Sequence, residues 1–435
     1  MLLIVPCNLF AQESFTLVQA KEYAIKNAYS IQISSKDIDL AKEKVGEIKA
    51  IGLPQVNAEL GHQHFLNLPV QIIPNFISPI LFPNQPPNPA YIQAKFGTNF
   101  SERASITVNQ LIFDGTYLLG LEAIKSFVEL ANGKVKKTEL EVKEAVTSTY
   151  YLVMILKENE KVLTQAITNL EKTLNEITII QQKGFFDKTD VEQLQLVVNN
   201  QKTIQNALKR QQEVAVSLLK FQMGYPVEKD IQVIDNVQDA IKIALPSTPS
   251  IETNADYHLL ATQLKLQKLN IEKEKKGYYP TVFGYFSHTY TYQGNDFKTI
   301  FKKAGWFPTT LWGLGVKIPV FDSFSKKHKQ AQARIEVEKL QIVQKQLEEG
   351  VKMQQKQAEV EYVNAIEQYK SQQDNLLLAQ KIVDKAQIKY KAGVGSSMEL
   401  TQTQTQYLQT QAQVISAIGA LLKAKVSVDK AFQSL

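Results

Sequence analysis

Cysteine is almost missing from this chain: Cys7 is the only one in 435 residues. That excludes an internal disulfide scaffold and turns attention to where the residue lies. It sits in the opening run MLLIVPCNLFAQE, which is apolar, ends in Ala11 and fits the core and cleavage end of a secretory signal. Residues 1–11 are therefore read as a signal peptide remnant, one that lacks the usual positively charged start. Cleavage after Ala11 would leave no cysteine, which suits an oxidising compartment; lipidation of Cys7 is disfavoured by Pro6, which stands where a small residue belongs. Long hydrophobic runs are missing too, since no later stretch approaches the ~18 apolar residues of a spanning helix. An exported protein without a helical anchor is expected. An excess of one charge is also missing: 49 Lys+Arg against 43 Asp+Glu leave a net +6, and the lysines interleave with acids. Such a pattern marks solvated helix faces and gives no nucleic-acid footprint. The chain has no nucleophile–base arrangement, no glycine-rich phosphate loop and no metal-ligand spacing. No catalytic residue, cofactor or metal is assigned, and an enzyme is not expected.

Proline is absent from 90 to 225 and again from 320 to 435. A helix from about 116 to 182 would be on the order of 100 Å long at 1.5 Å per residue, too long for a globular core. The chain also says things twice. KAIGLPQV and KKGYYPTV each place a glycine (Gly52, Gly277) and a proline (Pro54, Pro280) after a helical stretch, a strong helix stop. A β-like region follows each, then the junctions NQLIFDGTYL and KIPVFDSFSK, then a long helical segment with a glycine break. Asp114 to Gly184 is 70 residues and Asp322 to Gly393 is 71. This is an internal duplication. The first repeat is placed at 12–226, with a strand pair within 54–113 and a helical hairpin over 115–224. A linker with short structure of its own covers 227–250. The second repeat is placed at 251–435, with a strand pair within 280–321 and a hairpin over 323–432.

In the last helix Leu400, Tyr407, Val414, Leu421 and Val428 recur every seven residues, with Leu408, Ile415 and Leu422 one position over. A seven-residue repeat means a left-handed supercoil, and two offset stripes mean neighbours on two sides. The helix belongs to a sheet or tube of helices.

The β regions alternate. Ala104, Ile106, Val108 and Ile112 share one face opposite Ser101, Arg103, Ser105, Thr107 and Asn109. Trp312, Leu314, Val316, Ile318 and Val320 lie together opposite Gly313, Gly315 and Lys317. Such alternation fits either a soluble hairpin core or a membrane strand between lipid and water. The strand from Thr281 is less clean, with Phe283, Tyr285, Phe286, Tyr290 and Tyr292 on both faces; its tyrosines with Trp306 and Trp312 suit an interfacial belt. Four strands per chain cannot close a barrel, so a membrane sheet would require several chains. The segment NLPVQIIPNFISPILFPNQPPNPAYIQ holds seven of the 15 prolines and reads as an extended surface loop. His62 and His64 in GHQHF share a strand face without a third ligand, which predicts a barrel-rim role. Asp114 and Asp322 read as helix N-caps, and Asp190 and Glu399 as acids placed near helix starts.

Two repeats of helix, strand pair, Phe-Asp junction, long helix, glycine break and helix resemble the TolC-like outer membrane efflux proteins. The matches are IPVFDS at 318–323, YKAGVGSSMEL at 390–400, QQKGFFDKTDVEQLQ at 181–195 and LLKFQMGYP at 218–226. The resemblance implies a mainly α protein with membrane β. Duplicated long-helix hairpins form an α-helical barrel, and four strands per chain contribute to a trimeric twelve-stranded β-barrel. It implies a homotrimer in the outer membrane of a Gram-negative bacterium, in contact with its lipid and extending into the periplasm. Its partners would be a periplasmic adaptor protein and an inner-membrane pump, and its role a passive exit duct of an efflux or secretion system. The tip turns at Gly184 and Gly393 would form the periplasmic gate with Asp190, Tyr390 and Glu399, while Gln402 and Gly395 stand where the family carries a further acid and an arginine. Phe113, Asp114, Pro319, Phe321 and Asp322 would make the strand-to-helix junctions: Pro319 closing a strand, Phe321 packing at the collar between barrel and tunnel, Asp322 capping a helix. The alternative is a secreted coiled-coil interaction protein without channel activity.

Overall fold

The computed structural model describes residues 13–76, 80, 83, 90–183, 187–242, 251–302 and 305–434. The signal-like segment with Cys7, and Gly184, lie outside the described residues. Two compact units divide the chain, one of Met1–Leu40, Val128–Leu264 and Glu338–Leu435, the other of Ala41–Phe127 and Lys265–Val337. Each division falls inside a helix.

The same series of elements occurs twice. Helix α2 (Tyr29–Ala50, 22 residues) leads to strands β2 (Gln55–His64) and β5 (Phe100–Phe113), then to helices α3 (Gly115–Gln182, 68 residues) and α4 (Lys188–Met223, 36 residues). Helix α6 (Ala255–Lys276, 22 residues) leads to β7 (Thr281–Gly294) and β8 (Trp306–Lys317), then to α7 (Ser325–Lys391, 67 residues) and α8 (Ser397–Ala431, 35 residues). Among the described residues no helix is long and apolar enough to cross a membrane.

In the helical unit, side chains from α3, α4, α7 and α8 meet in one core that includes Val146, Tyr150, Leu219, Tyr362, Leu421 and Leu422. Both stripes of α8 are used: Leu400, Val414, Leu421 and Val428 are buried, and so are Ile415 and Leu422 one position over. A seven-residue period keeps such a seam facing its neighbours over many turns.

Two features carry no signal in the sequence pattern. A short parallel pair, β1 (Glu13–Phe15) with β6 (Ile231–Val233), joins the start of the chain to the segment 227–242. Helix α1 (Leu17–Asn27) follows β1 with a capping box, Thr16 Oγ1 accepting from the Gln19 N–H while the Gln19 side chain accepts from the Thr16 N–H. Helix α5 (Val237–Ala240) follows β6. Asp235 holds the pair together: its Oδ2 accepts from the Leu17 N–H at 2.7 Å and lies 3.0 Å from the Tyr150 hydroxyl, which also reaches the Phe15 carbonyl at 2.8 Å. Burial, above all, raises the pKa of that hydroxyl, so it remains a donor at any physiological pH. The proline-rich segment also holds a two-stranded hairpin, β3 (Val70–Pro74) with β4 (Tyr91–Lys95), where the proline content predicts only extended loop. Pro74 ends β3 in a sheet with no central strand, the position proline tolerates.

Removing the carboxylate strands the Leu17 N–H and takes away a charged acceptor, whereas removing the hydroxyl gives up a neutral group whose contact with the Asp235 N–H is long, at 3.4 Å. Asp235→Ala should therefore cost about 2–3 kcal/mol and Tyr150→Phe about 1 kcal/mol. Urea denaturation in detergent measures both, and equal costs would deny Asp235 this role.

Candidate functional site

The second unit is built on one antiparallel sheet in the order β2-β5-β7-β8. Its register brings every alternating strand into phase. Val56 faces Val108, which faces Phe286, which faces Trp312; in the next rows Ala58 leads to Ile106, and Leu60 to Ala104 and Tyr290. The opposite face carries Asn57, Thr107 and Ser287, then Glu59, Ser105, Thr289 and Thr309, then Arg103 and Thr291. One face is thus mainly apolar, interrupted by His288 and Thr310 in the row of Ile106, and the other mainly polar, with Leu311 and Phe307 on its β8 edge. The apolar one is open to the outside, with Leu60 86% and Trp312 78% exposed. The aromatics of β7 on the polar face have a separate cause. Phe283 and Tyr285 lie flat over Gly315 and Gly313, where a Cβ would come within 2.4 Å and 2.7 Å of their rings.

At the end of the sheet marked by Phe100, His62 Nδ1 lies 2.7 Å from Glu102 Oε1, and Glu102 is buried. His64 stacks on Phe100 at 4.4 Å between ring centroids, and Tyr292 meets Trp306 at 5.8 Å. The two histidines share a face and both lie against the Phe100 ring, but only His62 reaches Glu102. Among the described residues no group of three or more His, Cys, Asp or Glu can hold a metal ion.

The two junctions at the other end differ. Asp114 follows β5 directly, and its Oδ1 accepts from the N–H groups of Thr116 (2.7 Å) and Tyr117 (2.9 Å). Its Oδ2 accepts from the Thr281 hydroxyl at 2.9 Å, which ties the first repeat to the first residue of β7. Partial burial raises the carboxyl pKa, but the bonds from Thr116, Tyr117 and Thr281 outweigh it and leave the value below the usual one. Phe113 stands at a bulge opposite Val282. In the second junction β8 already ends at Lys317, so Pro319 lies beyond the strand it was expected to close. Asp322 Oδ2 accepts from the Lys326 N–H at 3.0 Å, four residues on. Between them Ser323 (φ 54°) and Phe324 (φ 65°) both take the left-handed conformation, unusual for residues with side chains. The turn swings Phe321 outward: it is 75% exposed and meets only Phe324 among rings, at 5.7 Å edge to face, instead of packing into this chain.

The helix tips, in the first unit, have a core of their own. Leu170 and Ile177 of α3, Leu194 and Val198 of α4, Ala386 and Tyr390 of α7 and Leu400 of α8 pack together. Tyr390 is almost fully buried; burial, then the nearby Asp190 carboxylate, pushes its hydroxyl up to about 12. Asp190, in the first turn of α4, accepts a short hydrogen bond from the Ser397 hydroxyl at the start of α8. Gly393 closes the turn after α7 with φ +75°, a conformation that favours glycine, although a Cβ there would meet open space. Ser396 caps α8 by accepting from the Glu399 N–H, while the Glu399 side chain reaches Lys389 at 3.2 Å. Lys391 pairs with Glu176 across α7 and α3 at 2.7 Å. Asp190, Tyr390, Gly393 and Glu399 are thus brought to one end of the bundle. Ser397, Lys389, Lys391 and Glu176 were not read from the sequence. The pattern Ser396-x-x-Glu399 was a visible capping signal, whereas the Ser397–Asp190 bond joins residues 207 apart.

Residues 252–432 match the family model of outer membrane efflux proteins. Several solved structures are similar to nearly the whole chain. CusC, a transmembrane channel former, is 14% identical with a TM-score of 0.74 over 96% of this chain and 91% of its own. The CmeC outer membrane channel of Campylobacter jejuni is 15% identical with a TM-score of 0.70, over 96% and 85%. The MtrE outer membrane channel of Neisseria gonorrhoeae, in its open state, is 13% identical with a TM-score of 0.70, over 96% and 88%. No curated protein matches the sequence. The chain has the TolC-like fold, and the family match falls on its second repeat.

If the apolar face of the sheet meets lipid, a charge there is penalised and one on the other face is not. Ile106→Lys, in a middle row, should weaken folding into lipid vesicles by about 2–4 kcal/mol, and Thr107→Lys by less than about 1 kcal/mol. Equal penalties would assign lipid to neither face.

Proposed function

We propose that this chain is one third of an outer membrane exit duct, a passive conduit that receives cargo from an inner-membrane pump through a periplasmic adaptor. The observation that carries this reading is the two-faced sheet with open edges. Among the described residues β2 pairs only with β5, and β8 only with β7. The row of free N–H and C=O groups along each outer edge cannot be left in hydrocarbon. Pairing β8 of one copy with β2 of the next satisfies both edges, and three copies give a closed barrel of twelve strands. The apolar face then turns to lipid, and the polar face lines a water-filled lumen with Asn57, Thr107, Arg103 and Glu59. Two long hairpins per copy supply the staves of the helical tunnel.

The tips serve as the gate in this reading. The Ser397–Asp190 bond, the shared core around Tyr390 and the Lys391–Glu176 pair hold the two hairpins of one copy together, while Lys389–Glu399 braces the turn within the second. Opening requires some of these contacts to part. Nothing in these residues hydrolyses or transfers a group, so the energy for transport comes from the pump.

Reconstitution into planar bilayers tests the duct. Stepwise conductance from a trimer that migrates differently before and after heating is expected; a monomer without conductance would overturn the reading in favour of a secreted coiled-coil protein. Ser397→Ala should raise the conductance of the closed duct several-fold, since it removes a hydrogen bond to a charged acceptor of about 1.5–3 kcal/mol. Unchanged conductance would remove Ser397 from the gate.

A further inference from the structure

Helix α7 begins with Ser325-Lys326-Lys327-His328-Lys329 and has no acidic residue in its first turn. Cations at a helix start face the positive end of its dipole, where an acid is the favourable choice. From Lys317 to Lys329 the chain has four lysines and a histidine against one carboxylate, Asp322, which is already engaged with the Lys326 N–H. No ion pair offsets Lys326, Lys327 or Lys329 among the described residues. A local rule broken this thoroughly needs a compensating gain elsewhere.

The surroundings indicate what supplies it. Ile318, Val320, Phe321 and Phe324 are all more than half exposed and continue the apolar face of the sheet past the last strand residue, Lys317. Lys326 Nζ lies 5.1 Å from the centre of the Tyr278 ring, and Lys327 Nζ lies 5.9 Å from that of Phe324. Each ammonium is thereby held beside an exposed aromatic ring at the margin of the apolar face. Two successive left-handed residues, Ser323 and Phe324, set this arrangement at the cost of backbone strain. Exposed aromatics with cations just outside an apolar band match the chemistry of a bilayer interface, where rings sit among headgroups and lysines meet phosphates.

We propose that this collar binds anionic phospholipid headgroups, phosphatidylglycerol being the probe of choice, in the leaflet on the helix side of the sheet. The inference rests on the reading that the apolar face of the sheet lies in lipid. Charge complementarity and continuity with that face argue for phospholipid over a soluble partner.

The test uses the full chain reconstituted in phosphatidylethanolamine bilayers. Association of spin-labelled phosphatidylglycerol is compared with that of spin-labelled phosphatidylcholine, for the protein and for the Lys326→Gln/Lys327→Gln/Lys329→Gln variant. The unaltered chain should prefer phosphatidylglycerol, and the preference should fall by roughly five-fold for each lysine that engages a headgroup. Added salt should weaken it. Conductance of both proteins serves as the readout of insertion. A chain that inserts and conducts without preferring phosphatidylglycerol, or a variant that keeps the full preference, overturns the collar and leaves the duct intact. A chain that neither inserts nor conducts overturns the duct and the collar together.

Discussion

A strand edge has nowhere to put its hydrogen bonds in hydrocarbon, and each unsatisfied backbone group there costs several kcal/mol. β2 and β8 both present such an edge. In water that edge would be a liability to be blunted by charge or covered by a loop; in a bilayer it becomes a strict instruction to find a partner. The four-strand sheet, the phasing of its faces and the oligomer proposed for it are consequences of that one requirement. The duplication serves it too, because each repeat delivers two strands and two helical staves in the same order, so symmetry between copies extends a symmetry already present in one.

The repeats are not equivalent where strand gives way to helix. Asp114 caps α3 at once and also takes the Thr281 hydroxyl, so a single carboxylate serves the first junction and the start of the third sheet strand. Asp322 works at longer range, reaching the Lys326 N–H over two residues with positive φ. The first junction is compact, and the second turns aromatic side chains outward. A shared Phe-Asp phrase therefore encodes two geometries. The residues just after each aspartate set the difference. Glycine at 115 lets the chain close beside Lys276 and Tyr279, while Ser323 and Phe324 force a wider turn.

Much of the fold was legible because it follows from periodicity. The heptads of α8 foretold burial on two sides, and the alternation in β5 and β8 foretold a two-faced sheet. Proline-free stretches gave the long helices. The β1–β6 pair was not legible, since three-residue strands carry no period and this one depends on Asp235, 218 residues from its partner Leu17. The hairpin β3–β4 was masked by its proline neighbours. The outward turn at Phe321 was not legible either, since it depends on the left-handed conformation of Ser323 and Phe324, which the sequence pattern does not mark. At the tip, the family resemblance put Tyr390 and Asp190 in one gate, but the hydroxyl that bonds Asp190 came from a serine no pattern distinguishes.

That serine bears on how firmly the proposed gate is held. Lys389–Glu399 and Lys391–Glu176 are largely exposed, and pairs of that kind are worth about 0–1 kcal/mol each and fade with salt. The Ser397–Asp190 bond contributes on the order of 1.5–3 kcal/mol because its acceptor is charged. The remaining hold is the apolar cluster around Tyr390, which parts only if the helices separate. A closed state held by a few kcal/mol beyond its packing is one that differential binding by a docked partner can reverse, since moving a two-state equilibrium from 1:99 to 99:1 takes about 5.5 kcal/mol. On the proposed reading, then, the tip is weak in its polar contacts and strong in its packing, and a partner opens it most directly by offering the apolar faces of α4 and α7 an alternative surface.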